Sequence, residues 1–432
     1  MISKKAIFLG LLASASLLYA EGAWTLEACL KQAKEKSLSL ETAKLREQQA
    51  DISVKQAKSN RYPSLSANIN NTLSDQPFED GPMDHYRFSV GLSGSVTLWD
   101  GGSTGLSIES SQLSKEAAKF STLQTERTIQ ESVLNAYMSL LAANEKLNTA
   151  NAAVELAQAE FEHYGKLYEA GAITKKDLTQ SQSNVLQKQV AQLTAQLSVN
   201  TSKTTLRQLL ELDANAEFDV SAPEANVTTP DSLPPLPAYD QLMTDSKNAN
   251  PGLKSDSISI KAAKKNTELA GKGNSITVTL GANASTGFQA WESDCYGHQM
   301  KHGYQHSVSL GINIPIIDRG ATANKVLSAQ VTEAETQVAL QEAGKTLENN
   351  LEKLYINAMS ADMQWKAAAL QVEAETEALQ VAEEQRNAGA LTYTDFLTQK
   401  NSLDNAKITL TNAKYTSLLA RKLLELYQGK LD

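Results

Sequence analysis

Three of the chain's five histidines, His298, His302 and His306, fall in one short stretch beside Asp294 and Cys295. Imidazole, thiolate and carboxylate are donor types that zinc and copper accept, so the three histidines are candidate metal ligands. Their spacing of four would suit one helix face, but Gly303 and a strand-like pattern starting at Tyr304 oppose a single helix carrying all three. A polar loop between strands explains the same residues. Two further runs, Thr174 to Asp177 and Thr392 to Asp395, are Thr-x-x-Asp, the spacing with which a hydroxyl and a carboxylate cap the start of a helix. Each follows a glycine, Gly171 or Gly389, suited to ending the helix before it. A phosphate-cradling glycine loop and His-Glu-x-x-His are both missing from the sequence. The chain therefore reads as no enzyme, with no cofactor.

What positions these residues is a duplication. Val96 to Gly102 (VTLWDGG) matches Ile314 to Gly320 (IPIIDRG), and Ala170 to Gln180 (AGAITKKDLTQ) matches Ala388 to Thr398 (AGALTYTDFLT). Within each half the two motifs are the same distance apart, which chance does not readily produce. The expected organisation is a first repeat over 21–229, a Pro-rich linker over 230–238 and a second repeat over 239–432. Each repeat is a helix, two strands, a long helix, a tip and another helix.

The strands are expected over about 64–76, 85–99, 275–290 and 304–317. Tyr86, Phe88, Val90, Leu92, Val96 and Leu98 share one parity, and Arg87, Ser89, Ser93, Ser95 and Thr97 the other. Val308, Leu310, Ile312 and Ile314 alternate in the same way with Ser307, Ser309, Gly311 and Asn313. Period two gives a sheet an apolar face and a Ser/Thr/Asn/Gly face. Segments of this length suffice to cross an outer membrane, with lipid on the apolar side and water on the other.

The long helices are expected over 105–170 and 321–388, with tips at 171–174 and 389–392 and returning helices over 174–211 and 392–428. Val133, Leu140, Leu147, Val154, Phe161 and Tyr168 recur every seven residues, with Ala136, Ala143, Ala150, Ala157 and Tyr164 as the second series. Leu351, Ala358, Trp365, Val372 and Leu379 repeat the seam in the second half. These are coiled-coil faces, and a rod of this kind would be about 100 Å long.

The first residues supply an address. Lys4 and Lys5 precede an apolar stretch, Ala6 to Leu18, followed by small Ala20. That is a signal peptide over 1–20, with a mature start at Glu21. The formal charge of -9 excludes a basic nucleic-acid surface. Four strands cannot close a barrel in lipid, where every unpaired backbone group costs several kcal/mol, and the smallest barrels have eight strands. The strands must be shared between copies. Three copies supply twelve strands, a watery lumen and enough helical rods to continue it, so a homotrimer in contact with outer-membrane lipid is the favoured assembly.

The order of strands, long helix and tip, the Asp-Gly-Gly and Asp-Arg-Gly turns and the Ala-Gly-x-x-Thr tips resemble the TolC family of outer-membrane efflux proteins. The resemblance spans essentially the whole mature chain. It implies an α+β membrane protein, mostly α: a trimeric 12-stranded outer-membrane β-barrel, four strands per chain, continued by a long α-helical coiled-coil barrel across the periplasm of a Gram-negative-type cell. It further implies a periplasmic adaptor protein and an inner-membrane transporter as partners. Gly171, Ala172, Thr174, Gly389, Leu391 and Thr392 match the family's adaptor-contacting tips. Asp395, with Asp177, matches the position of its periplasmic gate. The second acid expected three residues after Asp395 is Thr398 here. The expected function is the exit duct of a tripartite efflux or type I secretion system. The competing reading is a periplasmic or surface coiled-coil stalk without transport.

Overall fold

The structure, a computed structural model, describes residues 23–74, 85–215, 218–221, 229–290 and 294–430. The expected signal peptide and its cleavage point lie outside them. The described elements are α1 (Leu26–Lys36), α2 (Leu38–Ser59), β1 (Ser64–Ser74), β2 (His85–Trp99), α3 (Ser103–Glu169), α4 (Lys175–Leu209), α5 (Tyr239–Ala249), α6 (Pro251–Ala270), β3 (Thr277–Gln289), α7 (Tyr296–His302), β4 (Gln305–Asn313), α8 (Ala321–Asn387) and α9 (Tyr393–Tyr427). They fall into two compact units.

One unit holds residues 43–122 and 251–344. Its sheet is antiparallel in the order β1-β2-β3-β4. The register places Leu65, Ala67 and Ile69 opposite Gly94, Leu92 and Val90. Val90, Leu92 and Val96 lie opposite Thr286, Ala284 and Leu280. Val278, Leu280 and Ala282 lie opposite Ile312, Leu310 and Val308. Directly opposed residues share a face, so the apolar parity of all four strands forms one continuous surface. On the other face Ser64 and Ser66 bond Ser95 and Ser93, hydroxyl to hydroxyl, at 3.1 and 2.8 Å. Asn68 donates to Ser93 Oγ at 3.3 Å. None of the strand residues whose exposure is described is buried. The sheet thus has a greasy face, a wet face and two unpaired edges, and no core of its own.

The fourth strand is shorter than the pattern suggests. It stops at Asn313, because Pro315 has no N–H to give a ladder. Ile316 and Ile317 follow as exposed chain. The loop before this strand contains a short helix, α7, which the sequence reading does not anticipate.

The other unit holds residues 1–42, 123–250 and 345–432. Its main core joins Cys29, Leu30 and Ala33 of α1 to Val133, Leu134, Tyr137 and Leu140 of α3, Val199 and Leu206 of α4, and Tyr415 of α9. The heptad positions Val133, Leu140, Leu351, Ala358 and Trp365 are almost wholly buried. Alanines at the second series let helices approach closely. The single helix expected at the start of each repeat is broken in both, into α1 and α2 and into α5 and α6. Ser37 is extended and caps α2 through Leu40 N at 3.4 Å. Asn250 is extended because a residue before proline is kept out of helical geometry, and Pro251 then opens α6. The Pro-rich linker is not free: Arg421 donates to Pro234 O at 2.6 Å while also pairing Asp362, and Leu233 packs against the Trp365 cluster. Cys29 is buried and Cys295 exposed, both as free thiols. Burial pushes the Cys29 thiol up to about 12, which makes it inert. Among the described residues, no helix is long and apolar enough to cross a membrane.

Candidate functional site

The two tips are built alike. Gly171 and Gly389 each adopt φ +75°, a conformation that a side chain disfavours. Ala172 N donates to Leu167 O at 2.9 Å, and Ala390 N to Gln385 O at 2.8 Å, closing each long helix in a Schellman turn. Thr174 Oγ1 then accepts from Asp177 N at 3.3 Å and donates to Asp177 Oδ2 at 2.8 Å. Thr392 does the same with Asp395, at 3.2 and 2.6 Å. Both threonines therefore cap helices, as the Thr-x-x-Asp spacing requires, and at the first tip Thr174 N also donates to Asp177 Oδ2 at 3.3 Å, completing a capping box. Asp395 remains exposed and Asp177 half-exposed, each with carboxylate left for other work.

The tips meet in one apolar cluster. Tyr164 of α3 and Tyr393, Phe396 and Leu397 of α9 form its centre, with Ile173, Leu178 and Leu391 against it. Tyr164 and Tyr393 lie 4.6 Å apart, ring to ring. Arg386 lays its guanidinium over Tyr164, Tyr393 and Phe396 at 5.0, 4.7 and 5.0 Å. One turn further along α9, buried Lys400 pairs with Glu160 at 2.6 Å. Burial, then the Glu160 charge, push the Tyr393 phenol up to about 12, against the pull of Arg386. Tyr393 therefore stays a neutral phenol. Sequence reading misses this cluster, because Glu160 and Lys400 are 240 residues apart and neither carries a local motif.

The turns into the long helices are also paired. Asp318 accepts from Gly320 N and Thr322 N at 2.9 and 2.8 Å. The Thr322 contacts hold its carboxyl at about 2. Asp100 accepts from Gly102 N and Thr104 N at 2.9 and 2.6 Å. Burial opposes ionisation of Asp100, but its bonds to Thr104, Gly102 and Ser103 win and hold it below the usual carboxylate range. Gly101 has a close neighbour: a Cβ there would stand 2.3 Å from Ser275 Cβ.

The histidines are divided between elements. His298 and His302 lie on α7, while His306 lies on β4 with its ring 5.7 Å from Tyr304. Among the described residues no group of three His, Cys, Asp or Glu side chains is gathered for a metal, so the three-histidine cluster is not formed. At the same end of the sheet Tyr86, Phe88 and Phe288 pack together on the apolar face, with Phe88 and Phe288 stacked at 5.2 Å.

An open-edged, two-faced sheet followed by long heptad helices and a paired tip is the plan of a membrane duct subunit. The family model described as outer membrane efflux protein matches residues 29–211 and again 242–430, one match per repeat. The chain belongs to the outer membrane efflux protein family, and the outer membrane is its location. It is 24% identical over 413 residues to the outer membrane efflux protein BepC of Brucella suis biovar 1 (strain 1330), covering 92% of this chain and 83% of that one. Among solved structures it is similar to CusC, at TM-score 0.78 and 18% identity over 95% of each chain. It is also similar to the open state of the Neisseria gonorrhoeae MtrE outer membrane channel, at TM-score 0.75 and 19% identity over 94% of this chain and 88% of that one. These structural likenesses carry the fold.

Proposed function

We propose that three copies of this chain pool their sheets into one twelve-stranded barrel and their helices into one tube. Cargo then passes passively from an inner-membrane transporter, through a periplasmic adaptor, to the exterior. The observation that carries this reading is the sheet itself. Leu65, Ile69, Leu73, Val308, Leu310 and Ile312 leave 60 to 77% of their surface open. Burying such a side chain is worth roughly 1.5–3 kcal/mol. β1 and β4 each leave one ladder unpaired as well. Hydrocarbon on the apolar face and neighbouring copies on the edges answer both deficits, and the Ser/Asn face is left for water. The helices carry matching requests: Leu186, Val190, Leu193 and Leu197 form an exposed heptad stripe on α4, and Ile356, Met359, Met363 and Leu370 form one on α8. These stripes are the seams between copies.

Gly171, Ala172, Thr174, Gly389, Leu391 and Thr392 form the surface that receives the adaptor. Both tips present the same backbone, so one adaptor hairpin fits either. Asp395 and Asp177 supply the acidic gate. Three Asp395 carboxylates gathered on one axis would repel one another and draw cations. No chemistry is performed on the cargo. Reconstitution in a planar bilayer tests the reading: the wild-type trimer conducts with a cation preference, and Asp395→Ala raises conductance or weakens that preference. Unaltered conductance and selectivity would remove Asp395 from the gate, and a wild-type protein that never conducts would remove the duct.

A further inference from the structure

We infer that His298 and His302 form a two-point chelate for a divalent transition ion of the nitrogen-seeking class, zinc or copper, on the loop that joins β3 to β4. The two residues are one turn apart on α7, and their ring centroids stand 4.1 Å from one another. Two imidazoles on one ion, with metal–nitrogen bonds of about 2.0–2.1 Å at tetrahedral or square angles, hold their centroids roughly 4.5–5 Å apart. The pair thus needs to open by less than about 1 Å, a small rotation of exposed side chains. Asp294 Oδ2 lies 2.8 Å from His298 Nδ1. A carboxylate on one ring nitrogen fixes the tautomer, makes the other nitrogen a better donor and orients the ring toward an ion.

The platform is rigid where a chelate needs it to be. Gln299, between the two histidines, is buried and ties α7 to the strand end. Its side chain accepts from Gln289 N at 2.7 Å and donates to Gln289 O at 3.1 Å and Asp294 O at 2.8 Å. Thr286 Oγ1 bonds Met300 O, and Tyr296 lies 4.5 Å from Phe288, ring to ring. Both strand residues belong to the apolar parity, so α7 is laid against the aromatic end of that face. The histidines point away from this docking: His298 keeps half of its side chain exposed. Water completes the coordination, since His306 is held on β4. The inference does not depend on the duct reading, because it needs only the hairpin.

Isothermal titration of the untagged mature chain in detergent with zinc chloride tests it. One zinc per chain is expected. His298→Ala and His302→Ala should each weaken binding at least tenfold, and Asp294→Asn tenfold to a hundredfold. His306→Ala and Cys295→Ser should bind as the wild type does. Far-UV circular dichroism and unchanged oligomer size certify that each variant is folded. Zinc uptake that survives in the His298→Ala/His302→Ala double variant, or that is absent from the wild type, overturns the inference, as does a loss confined to Cys295→Ser.

Discussion

At Gly171 and at Gly389 the backbone takes the same φ of +75°, and the next helix starts on the same threonine–aspartate cap. The helices that follow, α4 and α9, have the same 35 residues of length but are covered very differently. α9 buries Tyr393, Phe396, Leu397, Lys400, Leu403, Ala406 and more beyond them, whereas α4 buries only Ser181, Asn184, Val199 and Leu206. Local signals that stop and start helices were kept in both copies, because each is satisfied within a few residues. What each helix packs against was free to diverge. α9 found its partners inside its own chain, and α4 leaves a leucine-valine stripe for another.

That contrast can be broken most severely at the stripe. Val190→Asp with Leu193→Asp should abolish the three-chain particle in size-exclusion light scattering while helicity persists in circular dichroism. These side chains are 65% and 61% exposed in the single chain, so the chain's own core does not need them. The equivalent insult on α9 strikes the fold. Lys400→Ala leaves Glu160, whose side chain is only 19% exposed, without its cation, a loss of about 3 kcal/mol, and hydrogen exchange should speed up locally over 393–400. Lys175→Ala and Lys176→Ala at the other tip, both exposed, should change exchange by less than about 0.5 kcal/mol.

Smaller effects should be equal in the two tips. Gly171→Ala and Gly389→Ala face open space, so only the left-handed backbone is strained, by roughly 1–2 kcal/mol in each. Thermal melts should show matching shifts, and unequal ones would mean the shared backbone is not shared in solution. The smallest effect concerns the turns. The Asp318 carboxyl is held at about 2, below its unfolded range. Its contribution is therefore complete above about pH 4 and is lost as pH falls toward 2. Asp318→Asn should flatten that part of the stability–pH curve in denaturant titrations.

Much of this was written locally. Strand parity, heptads, the Thr-x-x-Asp caps and the two glycines can each be read within a dozen residues. The breaks at Ser37 and Asn250 were only half legible: Pro251 announces one, but Ser37 looks like any helix serine. The premature end of β4 was signalled by Pro315 and obscured by the isoleucines around it. Unreadable were the pairings that join distant segments. Glu160 with Lys400, and Arg386 over Tyr164 and Tyr393, depend on which helices are neighbours, and no spacing in the chain encodes that. The small helix α7 was hidden for a related reason: its docking residue, Gln299, is held by backbone atoms of Gln289 and Asp294 and not by a hydrophobic pattern.

Native mass spectrometry of the detergent-extracted mature chain weighs the assembly directly. The shared-barrel account gives particles of three chains that withstand removal from the membrane and need detergent to stay in solution. A single-chain species that is stable in water alone would contradict it.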